Sequence, residues 1–312
     1  MKKTKILLPI YLILSLIIII STVVVSLTAG INLGIDFVGG KQIEVQVPEG
    51  TNASSYENKI EDVLNEFDLS INTSFEEDKY TDTYFIVKIN SQEMTAEEKT
   101  AIREAIIQKL ELPAEYVSEV FDISGSATQK TVISVAFAIL GILVVMFIAG
   151  WIRYGIMNGL SILFAGLHNL ILSLAVILLT RVELTISSCV AVFVASIMSM
   201  FIFCYIQEKA REGMLSRQNK ELSNREIFMG AIKSSLVVIC IISAMLFIFS
   251  ISSLFIAANF IKLFGVALLE CIIVALYSVL ISTELASYLS DVQSIRDKQK
   301  LSKNVTTKKK TK

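Results

Sequence analysis

The sequence predicts an α-helical membrane protein with six transmembrane helices and a small extracytoplasmic α+β domain between the first two. Of the 312 residues, 54% are hydrophobic and only 18% are charged, and the mean hydropathy is +0.65. The apolar residues form long blocks, and the one long polar stretch lies between the first and second blocks. This composition excludes an ordinary soluble domain.

The spans follow from apolar blocks of about 20 residues, the length that crosses a hydrocarbon core roughly 30 Å thick. The blocks cover residues 6–28, 131–150, 156–180, 185–206 and 234–285. The last is too long for one crossing and divides near Ser250 to Asn259, where polar residues interrupt it, so six spans result. The first block is long for a signal peptide and a small-residue cleavage pattern after it is poor, which favours a retained span.

The basic residues predict the orientation, because they are retained on the cytoplasmic side. The outer connections then carry only Arg181 and Lys262, and both termini are cytoplasmic in a cell (plasma) membrane. The predicted regions are the cytoplasmic N-terminus and first helix (1–30), the extracytoplasmic domain (31–129), a five-helix transmembrane region (130–287) and a basic cytoplasmic tail (288–312). We expect this tail to lie near anionic lipid headgroups.

The outer segment 41–129 contains 7 basic and 19 acidic residues, a net charge of −12. Such a domain does not attract nucleic acid. Thr95 and Glu98 form a capping box that opens its second helix. Period-two and helical patterns predict strands over 42–47, 70–75, 84–89 and 116–123, with helices over 55–67 and after Thr95. This order predicts a ferredoxin-like fold.

The sequence contains no recognisable combination of residues for catalysis, for metal binding or for binding a cofactor. The single histidine, His168, lies in a predicted span, and the sequence has no glycine-rich nucleotide loop. All four cysteines also fall in predicted spans, where they are expected to be small apolar packing residues: Cys189, Cys204, Cys240 and Cys271. We therefore predict a protein that is not an enzyme.

The junction between the first span and the outer domain carries the most specific motif, Gly34-Ile35-Asp36-Phe37-Val38-Gly39-Gly40. Its glycines permit a tight turn, and Asp36 is suited to accept backbone N–H bonds. These residues favour a structural elbow over direct contact with a passenger chain. The segment resembles the Gly-Ile-Asp-Phe-x-Gly-Gly sequence of the SecF family, the smaller membrane subunits of the SecDF export apparatus, and the order of spans, outer domain and basic tail resembles that family over the full length.

The resemblance continues without gaps at Leu167-His168, Glu183, Glu208-Lys209-Ala210-Arg211-Glu212 (the cytoplasmic end of the fourth span) and Tyr277-Ser278. The departures fall on the family's polar intramembrane positions. The family's Asp after the histidine is Asn169 here, its Asn-Asp pair is Phe201-Ile202, and its Arg is Lys209. Amide and apolar side chains do not exchange protons near neutral pH, so the family's acidic relay is largely missing.

Three candidate polar or proton-linked groups remain in the spans: His168, Asn169 and Glu270. His168 either titrates or packs as a satisfied polar group. Glu270 is predicted near the middle of the sixth span, facing the bundle, a partner or a cavity because a lipid-facing charge is costly. It is either a substitute proton carrier or a neutral hydrogen-bonding group.

The resemblance implies a subunit of the resistance-nodulation-division superfamily that acts with a SecD-like subunit and a SecYEG-type channel. Such a subunit assists late, ion-gradient-driven translocation of a polypeptide across the membrane. The alternative is a structural subunit that stabilises SecD and the translocon without conducting protons. A drug-efflux relative fits less well, because those exporters have two copies of the six-span unit.

Overall fold

The computed structural model describes residues 7–48, 54–69, 73–78, 84–89, 94–216, 222–255 and 259–310. In chain order the elements are α1 (Leu7–Ala29), α2 (Ile35–Val38), β1 (Gly40–Gln46), α3 (Ser54–Glu66), β2 (Thr73–Asp78), β3 (Tyr84–Ile89), α4 (Ala96–Leu110), β4 (Phe121–Ile123), α5 (Gly125–Tyr154), α6 (Ile156–Thr180), α7 (Ile186–Leu215), α8 (Asn224–Leu254) and α9 (Asn259–Lys310).

Six helices of the described chain are long and apolar enough to cross a membrane: α1, α5, α6, α7, α8 and α9. The predicted class and number of spans are confirmed, as is the division between the last two, where α8 ends at Leu254 and α9 begins at Asn259. The chain is a multi-pass membrane protein. We call the end of the bundle that carries the α+β domain the domain side, and the opposite end the far side.

Several helices are longer than the apolar blocks predicted. The helix α5 begins at Gly125 instead of 131, α7 continues to Leu215 instead of 206, and α8 begins at Asn224 instead of 234. The basic tail, for which no helix was predicted, is helical to Lys310. Apolar runs mark only the hydrocarbon-embedded part of a helix, and a helix continues into the headgroup layer with polar residues. The predicted start of the first span at residue 6 lies outside the described residues.

The bundle has α6, α7 and α9 at its centre, with α1, α5 and α8 on the periphery. Small side chains permit close packing where the central helices meet, as expected for helices in lipid. They include Ala165, Ala191, Ala195, Ala267, Cys271 and Ala275, all buried. The four cysteines are free, and all lie in spanning helices, as predicted.

The α+β domain has its own apolar core and the predicted ferredoxin-like topology. Its sheet has the order β2-β3-β1-β4 with every pair antiparallel. The core joins one face of β1 and β3 to α3 and α4 through Ile43, Ile60, Val87 and Ile106, among others. The capping box of Thr95 and Glu98 is present at the start of α4.

Two strand predictions were wrong in extent. β2 covers Thr73–Asp78, later than the predicted 70–75, of which residues 70–72 are not described. The last strand is only Phe121–Ile123 instead of 116–123. The side chain of Ser118 replaces a backbone partner, because Glu44 N–H donates to Ser118 Oγ at 2.9 Å, and a 3₁₀ turn occupies Ala114–Tyr116.

Asp122 on β4 lies between two lysines. It accepts hydrogen bonds from Lys41 Nζ and, at 2.8 and 2.7 Å, from Lys99 Nζ. Lys41 is buried on the core side of β1, where an ammonium group requires a compensating charge. The hydrogen bonds from Lys41 and Lys99 lower the pKa of Asp122 from 3.8 to about 2.

We expect this carboxylate to make the domain acid-sensitive. Because its pKa is lower in the folded protein, the ionised form stabilises the fold above about pH 4, and this contribution is lost as the pH falls through about 2. Asp122→Asn should lower the melting temperature at neutral pH. It should also make the melting temperature fall less steeply as the pH is lowered. Melts of the full-length protein, followed by near-UV circular dichroism, measure this. Glu104→Gln, on the exposed side of α4, is the control, and an unaltered acid profile in Asp122→Asn would contradict the assignment.

Candidate functional site

The predicted elbow forms a short helix, not the simple turn that was expected. Gly34 precedes the single turn α2 (Ile35–Val38), Gly39 has φ +81°, and Gly40 begins β1. The Phe37 N–H donates to Gly34 O at 2.9 Å, which closes the turn. The predicted contacts of the Asp36 side chain lie outside the part that the structure describes.

The elbow is bound to the loop between α6 and α7. Gly34 N–H donates to Leu184 O at 3.0 Å, and Leu184 N–H donates to Asn32 O at 2.8 Å. Arg181 Nη1 donates to the carbonyls of Ala29 and Gly30, each at 2.8 Å, and so caps the end of α1. A Cβ on Gly34 would lie 2.8 Å from Glu183 Oε1. The membrane helices therefore hold the elbow by backbone hydrogen bonds, with little room for a side chain at position 34.

The elbow also contacts the first residue of α5. A Cβ on Gly125 would lie 2.5 Å from Phe37 O and 2.9 Å from Gly39 N. Because Gly40 pairs with Ile123, the two strands that enter and leave the domain are neighbours at this point. The domain is thus joined to the bundle at both its entry from α1 and its exit into α5.

A polar seam lies midway through the bundle, where α1, α6 and α9 meet. His168 on α6 has a serine hydroxyl at each ring nitrogen: Ser15 Oγ is 3.0 Å from Nε2, and Ser278 Oγ is 2.8 Å from Nδ1. Tyr277 donates to Tyr11 O at 2.7 Å. A neutral imidazole donates through one nitrogen and accepts through the other, so both ring nitrogens are satisfied.

The seam also determines how α1 docks. The inward face of α1 contains Tyr11, Ser15 and Thr22, and Thr22 Oγ1 donates to Ala175 O of α6 at 2.9 Å. The large apolar residues of α1 point outward instead, with Ile13 and Leu16 more than half exposed. In lipid, hydrogen bonds and close packing associate helices, since the surrounding chains are as apolar as leucine. Ser15 and Thr22 were not identified from the sequence. The signal for them was their spacing from Tyr11 in α1, by 4 and then 7 residues, which places all three on one helix face.

Asn169 lies beside this seam but belongs to a separate contact. Its fully buried amide donates to Ser196 Oγ of α7 at 3.2 Å and accepts from Ser173 Oγ at 3.4 Å. His168 therefore bonds to the facing helices and not to Asn169. Of the two apolar replacements on α7, Ile202 is buried and Phe201 is 60% exposed. Among the described residues, no carboxylate hydrogen-bonds to His168 or Asn169.

Glu270 is nearer the domain side than the sequence predicted. Its Oε2 accepts a hydrogen bond at 3.0 Å from Thr180, the last residue of α6. The first turns of α9 therefore extend beyond the end of α6. For this reason the position of Glu270 along the apolar run predicted the wrong depth for it in the membrane. Glu270 is half-buried at the rim of the bundle and not at its midplane.

The charged cluster at the far end of α7 is divided between two contacts. Glu208 binds Arg153 of α5 in a bidentate pair, at 3.0 and 2.6 Å, and Lys209 pairs with Glu212 of the next turn at 2.9 Å. Arg211 lines a cavity beside α5 and α6. The structure thus separates residues that the sequence grouped together.

A second far-side ion pair was not predicted. Arg225, at the start of α8, binds Glu284 of α9 through two guanidinium nitrogens, at 2.8 to 3.2 Å. The Glu284 side chain is 11% exposed. This pair ties the last two spans together, and its members are 59 residues apart in the sequence, where no local pattern connects them.

Comparisons with known proteins agree with the motif and the architecture. Residues 24–47 match the family profile described as the SecD/SecF GG motif. A protein translocase subunit SecF from Petrotoga mobilis is 20% identical over 243 residues, which cover 75% of this chain and 80% of that protein.

Two solved structures share the fold. A SecDF crystal structure in a super-membrane-facing form superposes with a TM-score of 0.68 at 16% identity, over 96% of this chain and 40% of that one. The structure of SecDF from Thermus thermophilus, called a translocon-associated membrane protein, gives a TM-score of 0.63 at 18% identity, over 90% and 37%. The chain thus spans about two fifths of the solved SecDF chains.

Proposed function

We propose that this SecF-like chain is a subunit of the Sec protein-export machinery that assists late, ion-gradient-driven translocation of polypeptides. The observation that carries the proposal is the elbow, which joins an acidic domain to a six-helix bundle by contacts on both sides. The SecD/SecF GG motif spans this same junction. Movement of helices in the bundle would then move the domain that meets the emerging polypeptide.

The principal partner in this proposal is a SecD-like subunit. The solved SecDF chains are more than twice as long as the part that this chain matches, and a SecD-like polypeptide would supply the remainder. A SecYEG-type channel and the translocating polypeptide complete the assembly. The helix α7 offers a face for the SecD-like partner: it lies at the centre of the bundle, yet Phe201 is 60% exposed.

The proposed location is the cell membrane, with both termini in the cytoplasm and the acidic domain outside. The far side contains Arg153, Lys209, Arg211 and Arg225, and basic residues are retained in the cytoplasm. We assign no enzymatic step to the chain. The energy would come from an ion gradient, with the carboxylates that carry the ion placed on the SecD-like partner, since Asn169, Phe201 and Ile202 exchange no protons.

Photo-crosslinking in intact membranes tests the partnership. A benzoylphenylalanine at Phe201 should form an adduct with the SecD-like chain. The same probe at Val237, which is 70% exposed on the peripheral helix α8, is the matched control and should label that chain weakly. Absence of a SecD-like adduct at 201, or equal labelling from both positions, would contradict the proposed subunit contact.

Glu270→Gln is expected to leave the export rate and its dependence on the proton gradient unchanged. The glutamine keeps an oxygen that accepts from Thr180, and the site lies at the rim of the bundle, apart from His168. Export of a secreted precursor, measured as an ionophore lowers the gradient, gives the comparison. Thr180→Val controls for loss of the hydrogen bond alone. A loss of gradient dependence in Glu270→Gln only would instead identify Glu270 as a proton carrier.

A further inference from the structure

A cavity of about 120 Å³ lies at the far side, between the ends of α5 and α7 and the start of α6. This volume exceeds the space that one water molecule needs. Its lining is rich in hydrogen-bond donors and consists of Arg153, Tyr154, Asn158, Gln207, Ala210, Arg211 and Met214.

Gln207 lines this cavity with an amide that lacks a partner. The residue is 2% exposed, and its Nε2 makes no hydrogen bond. Buried amide groups in folded proteins are nearly always paired, so the Gln207 amide is expected to take a partner from the cavity, either water or a ligand. The other orphaned polar atoms among the described side chains, Ser235 Oγ and Ser243 Oγ, do not line the cavity.

The charge around Gln207 favours an anion. Within the described chain, Arg211 makes no hydrogen bond or salt bridge. Glu208, which binds Arg153 and does not line the cavity, attracts Arg211 only at longer range. Two guanidinium groups against one carboxylate leave this corner positive. Lys209, one position before Ala210, is already paired with Glu212.

Of the three helix ends at the cavity, the start of α6 also favours an anion. Helix α6 begins here at Ile156, and no side chain caps it. Its first N–H groups form the positive end of a helix dipole. Two of the last carbonyls of α5 are occupied, since Gly155 N–H donates to Trp151 O and Asn158 Nδ2 donates to Tyr154 O.

We propose that this cavity binds a phosphate group, either the headgroup phosphate of an anionic phospholipid or free phosphate. Arg211 and the Gln207 amide donate to its oxygens, and Arg153 supports the site through charge. A guanidinium fork fits phosphate geometry, and the cavity lies at the end of the spans, where headgroups are found.

Trp151 reports on this site because it is the only tryptophan of the chain and lies in the last turn of α5, three residues before Tyr154. The full-length protein is reconstituted in vesicles of phosphatidylcholine and phosphatidylglycerol, with bromine on the acyl chains of one lipid at a time. Tryptophan quenching gives the relative affinity of the two lipids. We expect about a fivefold preference for phosphatidylglycerol.

Arg211→Gln and Gln207→Leu should each bring this preference close to one. Gln207→Glu, which places a carboxylate in nearly the same volume, should do the same, and a melting temperature for each variant shows that it is folded. Lys209→Gln removes an equal charge from the same helix and should keep the preference.

The two sources of phosphate are separated by adding inorganic phosphate, against sodium chloride of the same ionic strength. If phosphate abolishes the preference for phosphatidylglycerol and sodium chloride does not, the site takes free phosphate. If the preference is retained in phosphate, the site binds the lipid headgroup. A preference that is equal in all variants, or that falls as far in Lys209→Gln as in Arg211→Gln, would overturn the proposal.

Discussion

Gly125→Ala is expected to detach the α+β domain from the bundle and to reduce export to the level of cells that lack the chain. The new Cβ would lie 2.5 Å from Phe37 O and 2.9 Å from Gly39 N, both of them backbone atoms that a rotamer change does not move. Overpacking of this kind costs about 1 to 3 kcal/mol, and the cost falls where α5 meets the elbow. Hydrogen exchange of α2 and the first turn of α5 measures the detachment.

Gly141→Ala is the matched control, since a Cβ there meets nothing within 4 Å and the residue lies in the same helix. It should export as the unaltered protein does. If Gly125→Ala showed the same exchange protection and the same export rate as Gly141→Ala, close contact between elbow and bundle would not be required for function.

Glu284→Gln is expected to destabilise the bundle by about 3 kcal/mol, because it leaves the Arg225 guanidinium without its charged partner. Both side chains are largely buried, with 24% of Arg225 and 11% of Glu284 exposed. Breaking a buried ion pair by removing one member typically costs about 3 to 5 kcal/mol. Unfolding in mixed micelles with increasing detergent denaturant gives the free energy of unfolding.

The double variant Arg225→Met/Glu284→Leu should recover most of the lost stability, since replacement of both members by apolar groups leaves no buried charge. Lys209→Gln is the control for an exposed pair and should change the free energy of unfolding by less than about 1 kcal/mol. A Glu284→Gln variant no less stable than Lys209→Gln would show that the pair is dispensable.

The sequence alone predicted the class and most of the fold. Six spans followed from apolar runs whose length matches the bilayer, and the ferredoxin-like order followed from periodicity in strands and helices. Both patterns are local. The end of α7 at Leu215 was missed because polar residues continue a helix beyond its apolar run. The short length of the strand at Phe121 was missed because the Ser118 side chain accepts the Glu44 N–H in place of a backbone carbonyl.

The site was harder to predict because its contacts join distant segments. The motif Gly34 to Gly40 indicated an elbow, but not its partners Arg181, Leu184 and Gly125. Glu270 was predicted too close to the middle of the membrane. The sequence of a helix gives its length, but not how far it is shifted along the bundle axis relative to the next helix. Gln207 gave no signal at all, since an orphaned amide is defined only by what surrounds it.

Pulse-chase labelling of a secreted precursor most directly tests the export role. Cells that lack this chain should process the precursor several times more slowly than cells that contain it, and the unaltered chain should restore the rate, whereas Gly125→Ala should not. Equal processing in the presence and absence of the chain would contradict the proposed function.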